Sequence, residues 1–381
     1  MRMRAIGLTN AFKSAIIYTE KTEAVMIDNR ILNKFALEKD DYVLSPYGSG
    51  HINQTYLVTG NKRKYVLQKI NDKIFRDVEG LMHNVSSVCD FNAEAVAKEG
   101  GDPTKCLMLV RTNEGKTYLK EDGGYYRVYN FIENTVAVNM PLSARHFGEG
   151  GECFARFAKN LADFDASTLV DVIPHFHDTV KRVETFENAV KADAVGRLKE
   201  TRDLIDFVLA RKSAAGVVLA GMDKGLIPLR VTHNDTKFNN LLFDADTKKP
   251  VAVIDLDTVM KGSMLYDFGD AVRTGCSSAD EDEADLSKVT FLKDYYDEFA
   301  KAYLGVLGSG ITDEERRLLG FSAMLMTYEC GVRFLTDYLE GDTYFAVHKP
   351  KHNLLRAKTQ FRLVGEAEKI FGSMTSYSEA E

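Results

Sequence analysis

Tryptophan is absent from this chain, its five cysteines are scattered, and no apolar run reaches the length of a membrane span. Cys89, Cys106, Cys153, Cys276 and Cys330 are odd in number and never form a C-x-x-C pair, which argues against a disulfide framework and against a zinc knuckle. A reducing, cytoplasmic setting is the expectation. Crossing a bilayer takes roughly 18 consecutive apolar residues, so no membrane partner is expected. The first residues carry basic side chains and a short apolar "AIIY", but no sustained apolar region followed by a small-residue cleavage site, and a secretory route is not expected. Internal repeats and low-complexity blocks are missing as well. With a net charge of -7 there is no general electrostatic footprint for nucleic acid, which leaves a small molecule as the expected partner. Oligomeric state is not legible.

What is present suits a folded protein: 381 residues, 45% hydrophobic and 28% charged, enough for two domains or one domain with two lobes. Residues 17 to 40 read as a charged helical opening. From Tyr42, "YVLSPYGSGHINQTYLVTGNKRKYVLQKIN" alternates β-rich runs with Gly, Asn and Lys turns, which predicts at least two antiparallel strands. Val78, Leu81, Met82, Val85 and Val88 recur at helical spacing, and "CLMLVRTNEGKTYLKEDGGYYRVYNFI" reads as three more strands. After Glu133 helices dominate, near 143 to 164, 178 to 213, 285 to 305, 313 to 340 and 351 to 372. One β-hairpin interrupts them, with "NNLLFD" and "VAVIDLD" flanking the turn-rich "ADTKKP". The boundary therefore falls at 132/133: a β-rich lobe with its N-terminal extension over 1–132, and a helical lobe over 133–381. The cleft between lobes is the default ligand site.

The stretch "VTHNDTKFNNLLFD" carries the chemistry. It holds His233, Asp235 and, five positions after that aspartate, Asn240. In phosphoryl transfer a loop aspartate orients the acceptor hydroxyl and an asparagine at this spacing binds magnesium. An Asx-rich capping loop would have the same composition, but the hairpin tips the balance. Asp255 stands at the exit of "VAVI", where a strand would deliver a second metal ligand beside Asn240, and Asp257 shares that strand face if the strand continues. A literal D-F-G at Asp267, Phe268 and Gly269 lies beyond the strand exit and reads as a turn into a short helix. It is a decoy for the metal site, with Asp270 placed to neutralise Arg273.

In the first lobe, Gly48 and Gly50 lie between two apparent strands, where backbone N–H groups can approach phosphates. The next strand offers Gln68 directly after "YVL", the slot of a phosphate-pairing lysine, and Lys69 one position later. Either Lys69 swings in by a bulge or Gln68 takes a neutral version of the role. "EGKT" is not a P-loop, because the glycine required five residues earlier is Val110. His175 and His177 lack the further ligands of a metal site, and Pro350 disrupts the helical spacing of His348 and His352.

Taken together, "HNDTKFNN" and "VIDLD" resemble the aminoglycoside phosphotransferase and choline kinase superfamily over about residues 42 to 371. "YGSGHINQTY", "YVLQKIN", "VIDLDTVMKGSMLYDFGDAVR" and "GVRFLTDYLEGDTYF" look closest to the N-acetylhexosamine 1-kinases within it. The resemblance implies an α+β, two-lobed, protein-kinase-like fold with ATP and Mg2+ as cofactors. It implies transfer of the γ-phosphate to the anomeric hydroxyl of N-acetylglucosamine or N-acetylgalactosamine. Asp235 would be the catalytic aspartate and Asn240 with Asp255 the metal ligands, with Asp257 a second ligand or an acceptor contact. His51, Arg333 and Tyr344 match positions of the sugar pocket, and adenine would lie against the linker near Phe131 and Glu133. Leu256 departs from the aromatic residue many superfamily members carry after the metal aspartate, so acceptor recognition differs from enzymes of cationic acceptors. The same chemistry on another sugar, an amino alcohol or an aminoglycoside is the alternative, followed by a non-catalytic nucleotide-binding protein.

Overall fold

The computed structural model describes residues 29–48 and 52–378. Gly50, His51 and the first half of the expected helical opening, residues 17–28, lie outside the described residues. A short helix α1 (Asn29–Leu32) leads into an antiparallel sheet of β1 (Val43–Pro46), β2 (Gln54–Thr59), β3 (Lys64–Ile70), β4 (Leu109–Val110), β5 (Leu119–Glu121) and β6 (Gly124–Asn130). The order is β1-β2-β3-β6-β4, with β5 also paired to β6. Helix α2 (Val78–Lys98) crosses between β3 and β4, its first turn capped by Asp77, which accepts from Gly80 N at 2.9 Å.

Alternation along β3 and β6 divides the sheet into two faces. Tyr65, Leu67, Tyr126 and Val128 point outward and pack with Ile31, Leu32 and Phe35 into a small separate core. Val66, Ile70 and Tyr129 point inward, toward α2 and the large lobe. The inward face therefore roofs the cleft. Buried Asn84 on α2 fastens the roof: its amide donates to Val170 O at 2.8 Å and to Val259 O at 2.9 Å.

The sheet ends at Asn130, and the next strand, β7 (Thr135–Ala137), pairs instead with β9 in the large lobe. That lobe runs through helices α3 (Ala144–Asn160), α4 (Thr179–Ala192), α5 (Arg202–Ala210) and α6 (Val217–Asp223). Strands β8 (Arg230–Thr232), β9 (Leu241–Asp244), β10 (Pro250–Val253) and β11 (Met260–Gly262) follow. Helices α7 (Met264–Gly275), α8 (Lys293–Leu307), α9 (Asp313–Arg317), α10 (Leu319–Glu340) and α11 (His352–Phe371) complete it. Helix α10 is buried on nearly every side, as an axis of a helical core must be. Helix α7 crosses it so closely that a Cβ on Gly269 would stand 2.4 Å from Ser322 O.

A hairpin and a separate two-stranded ladder position the cleft loops. Strand β9 pairs with β10 and β8 with β11, both antiparallel, so segments 233–240 and 254–259 emerge side by side. The β9–β10 hairpin is where the turn chemistry put it, but the strand stops at Val253. Asp255 adopts φ 63°, a left-handed conformation that breaks the ladder, and Leu256–Thr258 coil into a turn of 3-10 helix. The expected helix over 178–213 is likewise two helices, because Asp193 (φ 40°) and Gly196 (φ 69°) end the first. Among the described residues no helix is long and apolar enough to cross a membrane.

Candidate active site

Hydrogen bonds from both sides hold the loop that follows β8. His233 is buried; its Nε2 lies 2.9 Å from Ile254 O, and its Nδ1 accepts from Asp235 N at 3.2 Å, so its partners select the Nε2-protonated tautomer. Thr258 Oγ1 donates to His233 O at 2.7 Å, and Asn234 Nδ2 donates to Thr258 O at 2.8 Å. Asn234 itself sits at φ 65°. Two non-glycine residues in the left-handed region, Asn234 and Asp255, thus stand in the two facing loops, where surrounding bonds hold the strain.

Asp235 faces the cleft with Lys237 Nζ at 2.7 Å from its Oδ1. Loss of water around Asp235 opposes ionisation, but Lys237, His233 and Arg273 outweigh it and hold the carboxyl below its usual range. Asn240 Nδ2 donates to Asp235 O at 2.7 Å and Oδ2 at 3.2 Å, which fixes its amide orientation and leaves its oxygen turned away from Asp235. Asn240 O in turn accepts from Ile254 N at 2.9 Å, tying it to the segment that bears Asp255.

The Asp255 side chain has no hydrogen bond or ion pair among the described residues. The chain packed about it displaces water and pushes its carboxyl up to about 6, with Asp257 and Asp235 adding repulsion. An unpartnered carboxylate repelled by two others is one whose charge a hard divalent cation would neutralise. No group of three or more His, Cys, Asp or Glu side chains among the described residues could hold a metal. A cation at Asn240 and Asp255 therefore needs further oxygens, such as those of phosphates.

The sequence profile of the phosphotransferase enzyme family (APH) matches residues 43–318. The chain belongs to the phosphotransferase enzyme family. Its fold matches an aminoglycoside phosphotransferase from Alicyclobacillus acidocaldarius, with 14% identity, 94% of this chain and 98% of that chain covered, and a TM-score of 0.58. A microcompartment-associated aminopropanol kinase matches with 14% identity over 90% of this chain and 97% of its own, TM-score 0.54. An ethanolamine kinase from Plasmodium vivax matches with 13% identity over 88% and 84%, TM-score 0.52. The fold of this phosphotransferase is thus the α+β, kinase-like one, with a β-sheet lobe followed by a larger helical lobe.

The second aspartate, Asp257, is engaged elsewhere. Its Oδ1 pairs with Arg127 Nη2 at 2.5 Å and its Oδ2 accepts from Asn53 Nδ2 at 2.5 Å. Both oxygens join the large lobe to the small one. Asp267, in the literal D-F-G, is buried in the fourth position of α7 and points its carboxylate at the backbone of His233 and Asn234. Asp270 holds Arg273 through two bonds of 3.0 and 2.8 Å.

In the small lobe, Gln68 faces the cleft and Lys69 the opposite side, where its Nζ lies 5.9 Å from the Tyr126 ring centroid. Gly48 has φ 78°, a backbone only glycine adopts freely, and a Cβ there would meet nothing within 4 Å. Phe131 meets Tyr47 edge-on at 6.1 Å, and Lys64 bridges Phe131 and Glu133, 3.2 Å from the Glu133 carboxylate. Tyr47 and Lys64 were not anticipated; strand parity would have put Lys64 on the Gln68 side.

On the large lobe a cavity of about 130 Å³ is lined by Arg182, Thr185, Arg333, Asp337, Tyr344 and Phe345, among others. Arg333 lies over Phe176 and Phe345, at 5.8 and 5.5 Å from their centroids. Tyr344 is 71% exposed at the rim. Asp337 accepts from the N–H groups of Thr343, Tyr344 and Phe345 at 2.8 to 2.9 Å, so it shapes the turn that carries both aromatic rings. Phe176 adjoins His177, whose Nε2 is 3.3 Å from Asn234 O, linking this cavity to the loop of Asp235. Arg182, which no sequence motif singles out, has an Nε with no hydrogen-bond partner among the described residues.

Proposed function

We propose that this phosphotransferase moves the γ-phosphate of ATP to the anomeric C1 hydroxyl of an N-acetylhexosamine, N-acetylglucosamine or N-acetylgalactosamine, giving the sugar 1-phosphate. The observation that carries the acceptor assignment is the pair Arg182 and Arg333. Both line one cavity, and neither has a carboxylate within ion-pair distance among the described residues. Of the two carboxylates in the same lining, Asp337 is committed to backbone N–H groups and Glu340 is exposed, so the guanidinium groups disfavour a cationic aminoglycoside or amino alcohol and donate well to hydroxyls and an acetamido carbonyl. Tyr344 and Phe345 would offer flat apolar surface to the sugar ring.

Asp235 orients the C1 hydroxyl and accepts its proton, in a carboxylate kept ionised by Lys237. Asn240 and Asp255 would hold Mg2+, which when bound neutralises phosphate charge and screens the repulsion among Asp235, Asp255 and Asp257. Gly48 gives the ATP phosphates close access to backbone, while Tyr47, Lys64, Phe131 and Glu133 border the space for the base and ribose. Catalysis then consists mainly of positioning and charge neutralisation.

The test is phosphoryl transfer from magnesium ATP to N-acetylglucosamine, N-acetylgalactosamine, glucose, galactose, choline and an aminoglycoside, with product position read by phosphorus NMR. A 1-phosphate formed from the acetamido sugars alone is expected. Transfer to choline or the aminoglycoside instead would refute the pocket assignment, and no transfer to any would refute the kinase reading.

A further inference from the structure

Kinase-type phosphoryl transfer places a fixed cation from the small lobe beside the metal aspartate. Strand β3 supplies none at that depth. Gln68 occupies the cleft-facing slot, Lys69 faces away, and Lys64, on the same face as Gln68, is engaged by Glu133 at the linker.

Directly opposite Gln68 in the β3–β6 ladder is Arg127. Its Nε and Nη2 donate to Gln68 Oε1 at 2.9 and 2.7 Å, and Gln68 Nε2 donates to Thr55 Oγ1 at 3.1 Å, so both ends of the amide are committed to holding the guanidinium. The same Nη2 reaches Asp257, two residues past Asp255. Nη1 has only the thioether sulfur of Met82, at 3.9 Å, a weak acceptor for a buried cation. The plane of the group is further fixed over the Tyr129 ring, 5.0 Å from its centroid.

We infer that Arg127 is the phosphate-pairing cation of this enzyme, moved from β3 to the neighbouring strand β6, with Gln68 as its bracket and Asp257 as its counter-ion. A bare structural bridge would not need this placement. An arginine buried to 1% exposure and already paired with Asp257 still has an Nη1 without a strong acceptor, a donor free for an incoming anion. A phosphate reaches Arg127 by exchanging with the Asp257 carboxylate, anion for anion. Asn53 is poised to follow that exchange: its Nδ2 holds Asp257 and its Oδ1 accepts from Asn71 N at 3.0 Å, at the mouth of the glycine-bearing turn. One guanidinium thus serves both the closure between lobes and nucleotide binding.

This inference rests on the ATP part of the proposed function and not on the acceptor, so binding is measured without one. ATP, ADP and adenosine are titrated calorimetrically against the parent, Arg127→Gln, Arg127→Lys and the double variant Gln68→Lys/Arg127→Gln, with melting curves for each. Arg127→Gln is expected to weaken ATP and ADP by about tenfold or more while adenosine changes by less than about twofold, since only phosphates lose a charge-assisted bond. The double variant, which returns a lysine to the β3 slot, should recover a large part of the ATP loss. Equal losses for all three ligands, or none, would overturn the inference. If Arg127→Gln does not fold, Arg127→Lys decides it by the same comparison of ATP with adenosine. Failure of the parent to bind ATP at all overturns the kinase reading, a separate outcome.

Discussion

The carboxylate of Asp267 accepts the backbone N–H of Asn234 at 2.7 Å, and its second oxygen accepts that of His233 at 2.8 Å. Thr236 Oγ1 adds a bond of 2.5 Å to Asp267 O. Helix α7 thereby carries the left-handed Asn234, the residue just before Asp235. The D-F-G triplet is an anchor for the loop and not a ligand of the cleft.

Replacing Asp267 with alanine leaves two buried N–H groups without acceptors, at roughly 1–3 kcal/mol each. Asp267→Ala should lose about 3 kcal/mol in chemical denaturation and at least about tenfold in turnover. Asp267→Asn keeps one acceptor and should lie between. Unchanged turnover in a folded Asp267→Ala protein would contradict the anchoring role.

Asp235→Asn removes the proton acceptor and keeps the shape of the loop, including the bond from Asn240 to the backbone. Turnover should fall about 10²- to 10⁴-fold, with ATP affinity changed far less. Stopped-assay kcat and equilibrium ATP binding separate the two. A kcat close to the parent's would remove Asp235 from the reaction.

Much of this was legible in the chain, for reasons that differ by element. His233, Asp235 and Asn240 lie within eight residues, so their juxtaposition is a local property of one loop, and the "ADTKKP" turn dictates its hairpin. Arg127 was invisible because its role depends on which residue of another strand stands opposite Gln68, a register that long-range pairing alone sets. Asp257 was expected on a continued strand; the left-handed Asp255 turns it into the roof instead, toward Arg127 and Asn53. The role of Asp267 depends on a distance across 34 positions of chain, from His233 to the helix α7.

A buried charge behind the catalytic loop makes stability depend on acid. Glu329 accepts Thr179 Oγ1 at 2.5 Å and lies 2.8 Å from His177 Nδ1. Burial opposes its ionisation, yet His177, Thr179 and Arg333 together hold it below the ordinary 4.5. A carboxyl depressed on folding stabilises the protein fully above its unfolded value and loses that contribution as pH falls through the folded one. Glu329→Gln should therefore cost about 1–3 kcal/mol at pH 7 and progressively less below about pH 4.5. Urea melts of parent and variant at pH 7, 5 and 4 check this; a gap that widens in acid would reverse the sign and refute it.

Arg182 and Arg333 give the acceptor prediction its sharpest form. Burial, and after it the charge of Arg333, lowers the pKa of Arg182, though a guanidinium stays protonated at any working pH. Each is held by aromatic faces or a backbone oxygen: Arg333 by Phe176 and Phe345, Arg182 by Phe176 O at 3.0 Å. Truncating either should leave the fold in place. Arg333→Met should raise KM for an acetamido sugar about 10- to 100-fold, the worth of one or two bonds from a charged donor, with KM for ATP unchanged. Arg182→Met should act in the same direction, and the pair together should lower discrimination against choline, because the repulsion that excludes a cation is gone. Were Arg333→Met to raise KM for ATP and leave the sugar untouched, the cavity would belong to something other than the acceptor.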